Sequence, residues 1–119
     1  MRNSKNIKYV IIGEFDEAFI EFIEKQIDSK LEAHDSLYKG DYWLFRDETL
    51  ELNIELRINI DPMHDPESDP EEEYYFDYEN SDCALLLDID GGQAAVRDLS
   101  LKLAKNSSFR HISDENYTW

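Results

Sequence analysis

A single cysteine, Cys83, excludes an internal disulfide and fits a reducing compartment. Apolar runs are short: none approaches the roughly 18 residues that a membrane span requires. The opening Met1-Arg2-Asn3-Ser4-Lys5-Asn6 leads into only a brief apolar stretch, so no secretory signal is read. The expected location is the cytoplasm, without membrane attachment. The scarcest feature is positive charge. Twelve bases stand against 28 acids, a formal net charge of -16 over 119 residues. That balance argues against direct binding to a phosphate backbone, which Lys and Arg drive, and favours a basic partner. Hydrophobics at 41% and aromatics at 13% supply one real core and argue against disorder.

The shortage of base is local. From residue 58 to 96 there is no Lys or Arg, and that stretch holds 12 acids. The other 80 residues hold 16 acids and 12 bases, a net of -4, so one third of the chain carries three quarters of the charge. If this segment packs on one side of the fold, the molecule has a strongly polarised field.

The apolar pattern predicts one domain over 1–119. Lys8 to Ile12 reads as a short buried strand ended by Gly13. From Phe15 to about Leu31 the spacing turns helical, with Phe15, Phe19, Phe22, Ile23 and Ile27 on one face and Asp16 as N-cap. Tyr42 to Arg46 reads as a strand by its aromatic content. Leu50, Leu52, Ile54, Leu56, Ile58 and Ile60 alternate strictly with polar residues, the mark of a half-exposed strand whose six apolar members face one core. Asp61 to Glu73 is a flexible acidic loop with Asp-Pro at 61, 65 and 69. Tyr74 to Glu79 reads as a strand and Cys83 to Ile89 as a central one. A second helix then runs from Asp90 or Gly91 to about Lys105, with Ala95, Val96, Leu99 and Leu103 as its stripe. Phe109 to Ile112 closes the order as an edge strand. The fold class is α+β: a single-layer, mainly antiparallel sheet with two helices packed on one face.

Catalytic patterns fail. His34, His64 and His111 fall in predicted loops or at an edge, and no Gly-x-Ser-x-Gly, Walker or His-Glu-x-x-His pattern is present. Nothing near Cys83 in sequence lowers its pKa, so it reads as a structural thiol. No catalytic residue and no cofactor is assigned. Asp88-Ile89-Asp90-Gly91 matches the start of an EF-hand loop. The match breaks where Gly92, Gln93 and Leu99 occupy the third-ligand, turn-glycine and closing-acid positions. The expected role is an acid capping the second helix, and no metal site is assigned.

Two acidic surfaces remain. Glu14, Glu17, Glu21, Glu24, Asp28, Glu32 and Asp35 follow helical steps and would form one stripe on the first helix. Asp65, Glu67, Asp69, Glu71, Glu72 and Glu73 lead into the predicted strand. There Tyr74, Phe76 and Tyr78 would face the core, leaving Tyr75, Asp77 and Glu79 exposed. Tyrosine beside carboxylate suits a basic protein surface, since aromatics supply buried area and carboxylates pair bidentately with Arg.

In size, charge and character the chain resembles bacterial immunity proteins, the inhibitors of toxin domains in contact-dependent growth inhibition and related polymorphic toxin systems. The Glu17-Glu21-Glu24-Asp28 stripe and the Glu71-Glu72-Glu73-Tyr74-Tyr75 region carry the resemblance. It implies a non-enzymatic protein, a monomer or weak dimer, that blocks the basic cleft of a cognate nuclease toxin stoichiometrically. Asp65, Glu67, Asp69, Glu71, Glu72, Glu73, Tyr75, Asp77 and Glu79 would form the interface. Glu17, Glu21, Glu24, Asp28, Tyr117 and Trp119 would be secondary contacts. The alternatives are a DNA mimic that inhibits a nucleic-acid enzyme and a small enzyme or ligand-binding module whose site forms only in three dimensions.

Overall fold

Alternating apolar residues on neighbouring strands build one face of a sheet, and that face determines where everything else sits. The computed structural model of the chain describes residues 3–118. Its strands are β1 (Asn3–Ile12), β2 (Glu32–Ser36), β3 (Gly40–Asp47), β4 (Leu52–Ile58), β5 (Cys83–Gly92) and β6 (Phe109–Thr118). Its helices are α1 (Glu17–Ile27) and α2 (Gln93–Leu103). The strands form one antiparallel sheet in the order β2-β3-β4-β5-β1-β6. The α+β class and the central place of β5 are as the sequence implies.

The register aligns Ile7, Tyr9 and Ile11 of β1 with Ile89, Leu87 and Leu85 of β5. Ile54 and Leu56 of β4 face the same Ile89 and Leu87 from the other side. All eight residues are buried. α1 adds Ile23 to this core, α2 adds Val96, Leu99 and Leu103, and β6 adds Phe109. Both helices cover the same face. The Tyr9 hydroxyl lies 2.5 Å from Ser100 Oγ of α2, and the Phe109 ring meets Phe19 and Phe22 of α1 at 6.1 and 5.4 Å. Burying each large aliphatic side chain stabilises the fold by about 1.5–3 kcal/mol.

α1 starts where expected, with the Asp16 carboxylate accepting from the Ala18 N–H at 2.9 Å. It stops four residues sooner than its apolar spacing predicts. Asp28 adopts the left-handed conformation, φ 52°, which Asp tolerates better than most residues. Glu24 then folds over the end, and its carboxylate accepts from the Leu31 N–H at 2.8 Å. Leu31 still reaches the core, but from the connection to β2. Residues 32–36, including His34, pair with β3 as a strand where the sequence pattern implies a helix end and a loop.

The strand ending the long alternation is also shorter. β4 covers Leu52–Ile58, while Leu50 and Ile60 are exposed rather than inward. Leu50 belongs to the β3–β4 turn, where its N–H donates to the Asp47 carboxylate at 3.1 Å. Ile60 lies beyond the last ladder position. α2 starts at Gln93, not at Asp90 or Gly91, because β5 stays in the sheet through Gly92 and no side chain caps the helix. The helix-capping role for Asp88 or Asp90 is therefore wrong. Asp88 accepts from Asn6 Nδ2 at 2.6 Å, and Asp90 accepts from the Tyr117 hydroxyl. β6 has 10 residues, where the sequence pattern implies a strand only from Phe109 to Ile112, and it runs to Thr118 along the sheet edge.

Candidate partner interface

The base-free segment leaves the sheet after β4 and returns at β5, on the side opposite the helices. Its entry is organised by Asn59. Strict alternation puts this side chain on the polar face, and the structure keeps it on that face but buries it to 1% exposure. The Asn59 Nδ2 donates to the carbonyls of Asp77, Asn80 and Cys83 at 3.1, 3.1 and 3.2 Å. Its Oδ1 accepts from the Asp77 N–H at 2.8 Å. At the exit, Arg110 of β6 donates to Asn80 Oδ1 at 2.6 Å and lies 3.5 Å from the Asp82 carboxylate. One asparagine and one arginine thus fasten both ends of the excursion to the sheet.

Because Asn59 takes up backbone groups that a strand ladder would need, Tyr74 to Glu79 is not a strand. Two 3₁₀ turns stand there instead, Glu71–Tyr74 and Tyr78–Asn80. Pro70 leads into the first, and the Glu73 N–H bonds to its carbonyl at 3.0 Å. The inside and outside sets change accordingly. Tyr74 and Tyr78 are exposed, at 39% and 53%, whereas Tyr75, Phe76 and Asp77 are half-buried. Phe76 packs on the sheet with the Arg57 guanidinium 4.5 Å from its ring centre. The Asp77 carboxylate accepts from Asn80 Nδ2 at 2.7 Å and has become part of the scaffold.

The acids divide by role. Asp61, Asp65 and Asp69 close the loop on itself. Their carboxylates accept from the N–H groups of Met63, Glu67 and Asp65 at 2.8, 3.0 and 2.9 Å. The Glu67 N–H, followed by the Ser68 hydroxyl, holds the Asp65 carboxyl below its ordinary pKa. Glu67, Glu71, Glu72, Glu73 and Glu79 are exposed, and three of them are consecutive on one turn. The sequence assigned all nine residues equally. The structure leaves the five glutamates exposed, ties the other four into the fold in whole or part, and exposes Tyr74 and Tyr78, which period two places in the core.

The secondary stripe is cut down. Glu17 and Glu21 are exposed on α1. Glu24 holds the helix end and lies 3.7 Å from Lys30, Asp28 is the C-cap, and Glu32 and Asp35 lie on β2. Tyr117 is on β6, bonded to Asp90, which together with partial burial raises its hydroxyl pKa. Trp119 lies outside the described residues. Burial raises the Cys83 thiol, with the Asp82 charge adding and the Arg110 charge opposing, as expected of a structural cysteine.

Two concavities border the excursion. One, of about 230 Å³, lies between Phe76 and the outer sheet face and is lined by Lys8, Glu55, Arg57 and Asp88. The other, of about 470 Å³, lies within the excursion, between Ile60 and Tyr75. The β2–β3 turn stands beside it. Gly40 is close enough to Pro62 that an added Cβ would lie 3.7 Å from the ring, and Leu37 and Tyr38 project from the turn into solvent. This end of the molecule therefore pairs exposed apolar side chains with dense negative charge.

No protein-family model matches the chain, and comparison with curated proteins and with solved structures finds no significant similarity. No helix of the described residues is long and apolar enough to cross a membrane.

Proposed function

We propose that the chain is an immunity protein that binds a basic toxin domain, a nuclease in the fullest form of this reading, and blocks its substrate cleft. The observation that carries the proposal is the base-free excursion, fastened to the sheet at both ends and presenting Glu71, Glu72 and Glu73 on one turn beside exposed Tyr74. Carboxylates placed where a nuclease holds substrate phosphates would occupy the same cationic groups. The field of the excursion would steer encounter toward about 10⁸ M⁻¹s⁻¹ at low salt. Useful inhibition needs a Kd near nanomolar, about -12 kcal/mol, which rim charges do not supply alone. Exposed Tyr74 and Tyr78, rather than half-buried Tyr75, take the anchoring role. The protein acts without a cofactor, as a cytoplasmic monomer or weak dimer, and does not bind nucleic acid itself.

The test is capture from the native host with the tagged chain, followed by mass spectrometry. The expected prey is a basic domain, in 1:1 stoichiometry, whose gene lies immediately upstream and whose toxicity the chain suppresses. Recovery of a nucleic-acid enzyme with no linked toxin gene would favour the DNA-mimic reading instead. Recovery of no basic protein under low salt would contradict both.

A further inference from the structure

Resting on the reading of a basic partner, we infer that the groove inside the excursion is a docking site for a single arginine side chain of that partner. The groove is lined by Ile60, Asp61, His64, Glu71, Tyr74 and Tyr75, among others, and no lysine or arginine lines it. Its walls are aromatic and set nearly at right angles. Tyr74 meets Tyr75 at 4.9 Å with an interplanar angle of 85°, and His64 meets Tyr74 at 5.5 Å and 83°. Perpendicular rings give a planar cation one face to stack on and a second wall to lie against.

The walls are held in place before any ligand arrives. His64 Nε2 lies 3.0 Å from the Pro70 carbonyl, and the Asp61 N–H donates to the Tyr74 carbonyl at 2.8 Å. Two carboxylates, those of Asp61 and Glu71, belong to its lining. One Asp61 oxygen accepts from the Met63 N–H at 2.8 Å, and Glu71 is exposed. Guanidinium fits this arrangement better than ammonium: it is planar, weakly hydrated, stacks on aromatic faces and presents a fork of donors to carboxylates. The same excursion already contains such a contact, with Arg57 over Phe76. With no base between 58 and 96, nothing in that segment supplies the cation for this groove.

The assignment is tested by NMR titration of the full chain with Nα-acetyl-arginine amide. The uncharged isostere Nα-acetyl-citrulline amide and Nα-acetyl-lysine amide are titrated in parallel. Saturable shifts are expected at Ile60, His64, Tyr74 and Tyr75 with the arginine probe, at least about threefold tighter than with either control. Tyr74→Ala should weaken binding several-fold. Glu71→Gln, on an exposed side chain with no role in the fold, should weaken it with an unchanged amide spectrum. Shifts that do not saturate, that spread equally to Glu17 and Glu21, or that the citrulline or lysine probe reproduces at equal affinity overturn the assignment. The titration uses no partner protein. A capture experiment that succeeds while this one fails removes the groove but not the basic partner; the reverse result removes the partner but leaves the groove.

Discussion

Ile54→Asp is expected to leave no folded protein at ambient temperature. Ile54 is 2% exposed, sits opposite Ile89 in the register, and belongs to the core that both helices cover. An aspartate there loses the apolar contacts and places a carboxylate where no cation or donor reaches it. Together these cost several kcal/mol, against a total stability of about 5–15 kcal/mol for a domain of this kind. Circular dichroism should show no cooperative thermal transition. Asn53→Asp, one residue away but exposed on the opposite face, should change stability by less than about 0.5 kcal/mol. A melting temperature unchanged by Ile54→Asp would reject the packing described for β4.

Asn59→Asp is expected to be nearly as damaging, though it changes one atom. The Asp77 N–H donating to Oδ1 fixes which end of the amide is oxygen, so the nitrogen faces three carbonyls. Carboxylate oxygen in that position replaces attraction with repulsion in a buried place, at a cost of about 2–5 kcal/mol. The damage should concentrate in the excursion, because all three carbonyls belong to its last turns or to the residue where it rejoins β5. Amide hydrogen exchange of residues 74–82 should accelerate before that of β1 and β5. An Asn59→Asp protein with wild-type stability and exchange would show that the asparagine does not organise the segment.

These two positions also mark what the sequence made legible. Ile54 lies in a period-two run, and period two reports a face directly, so the sheet core followed from spacing alone. Asn59 lies in the same run and fits the same period. Its burial comes from a segment that folds back over the outer face, and no local pattern encodes that return. The acidic window is legible as a segment without base, because charge composition survives any change of backbone. Period two misplaces Tyr74, Tyr75, Asp77 and Tyr78, though not Phe76 or Glu79, because Pro70 and Asn59 turn the stretch into 3₁₀ structure. Tyr74 and Tyr78 carried no other signal of exposure. The helix stripe failed for a different reason: its acids keep helical spacing beyond Ile27, and Asp28 and Glu24 end the helix through geometry that spacing does not contain.

The proposed partner approaches the excursion and not α1, and association kinetics decide between the two surfaces. The rate constant for the captured basic domain is measured at low and at physiological salt. The proteins compared are the wild type, the triple variant Glu71→Lys, Glu72→Lys, Glu73→Lys, and Glu21→Lys. Charge reversal at the turn should slow association about tenfold or more at low salt and flatten its salt dependence, while Glu21→Lys changes it little. Unchanged association in the triple variant, with loss of binding in Glu21→Lys, would place the interface on the helix and contradict the account.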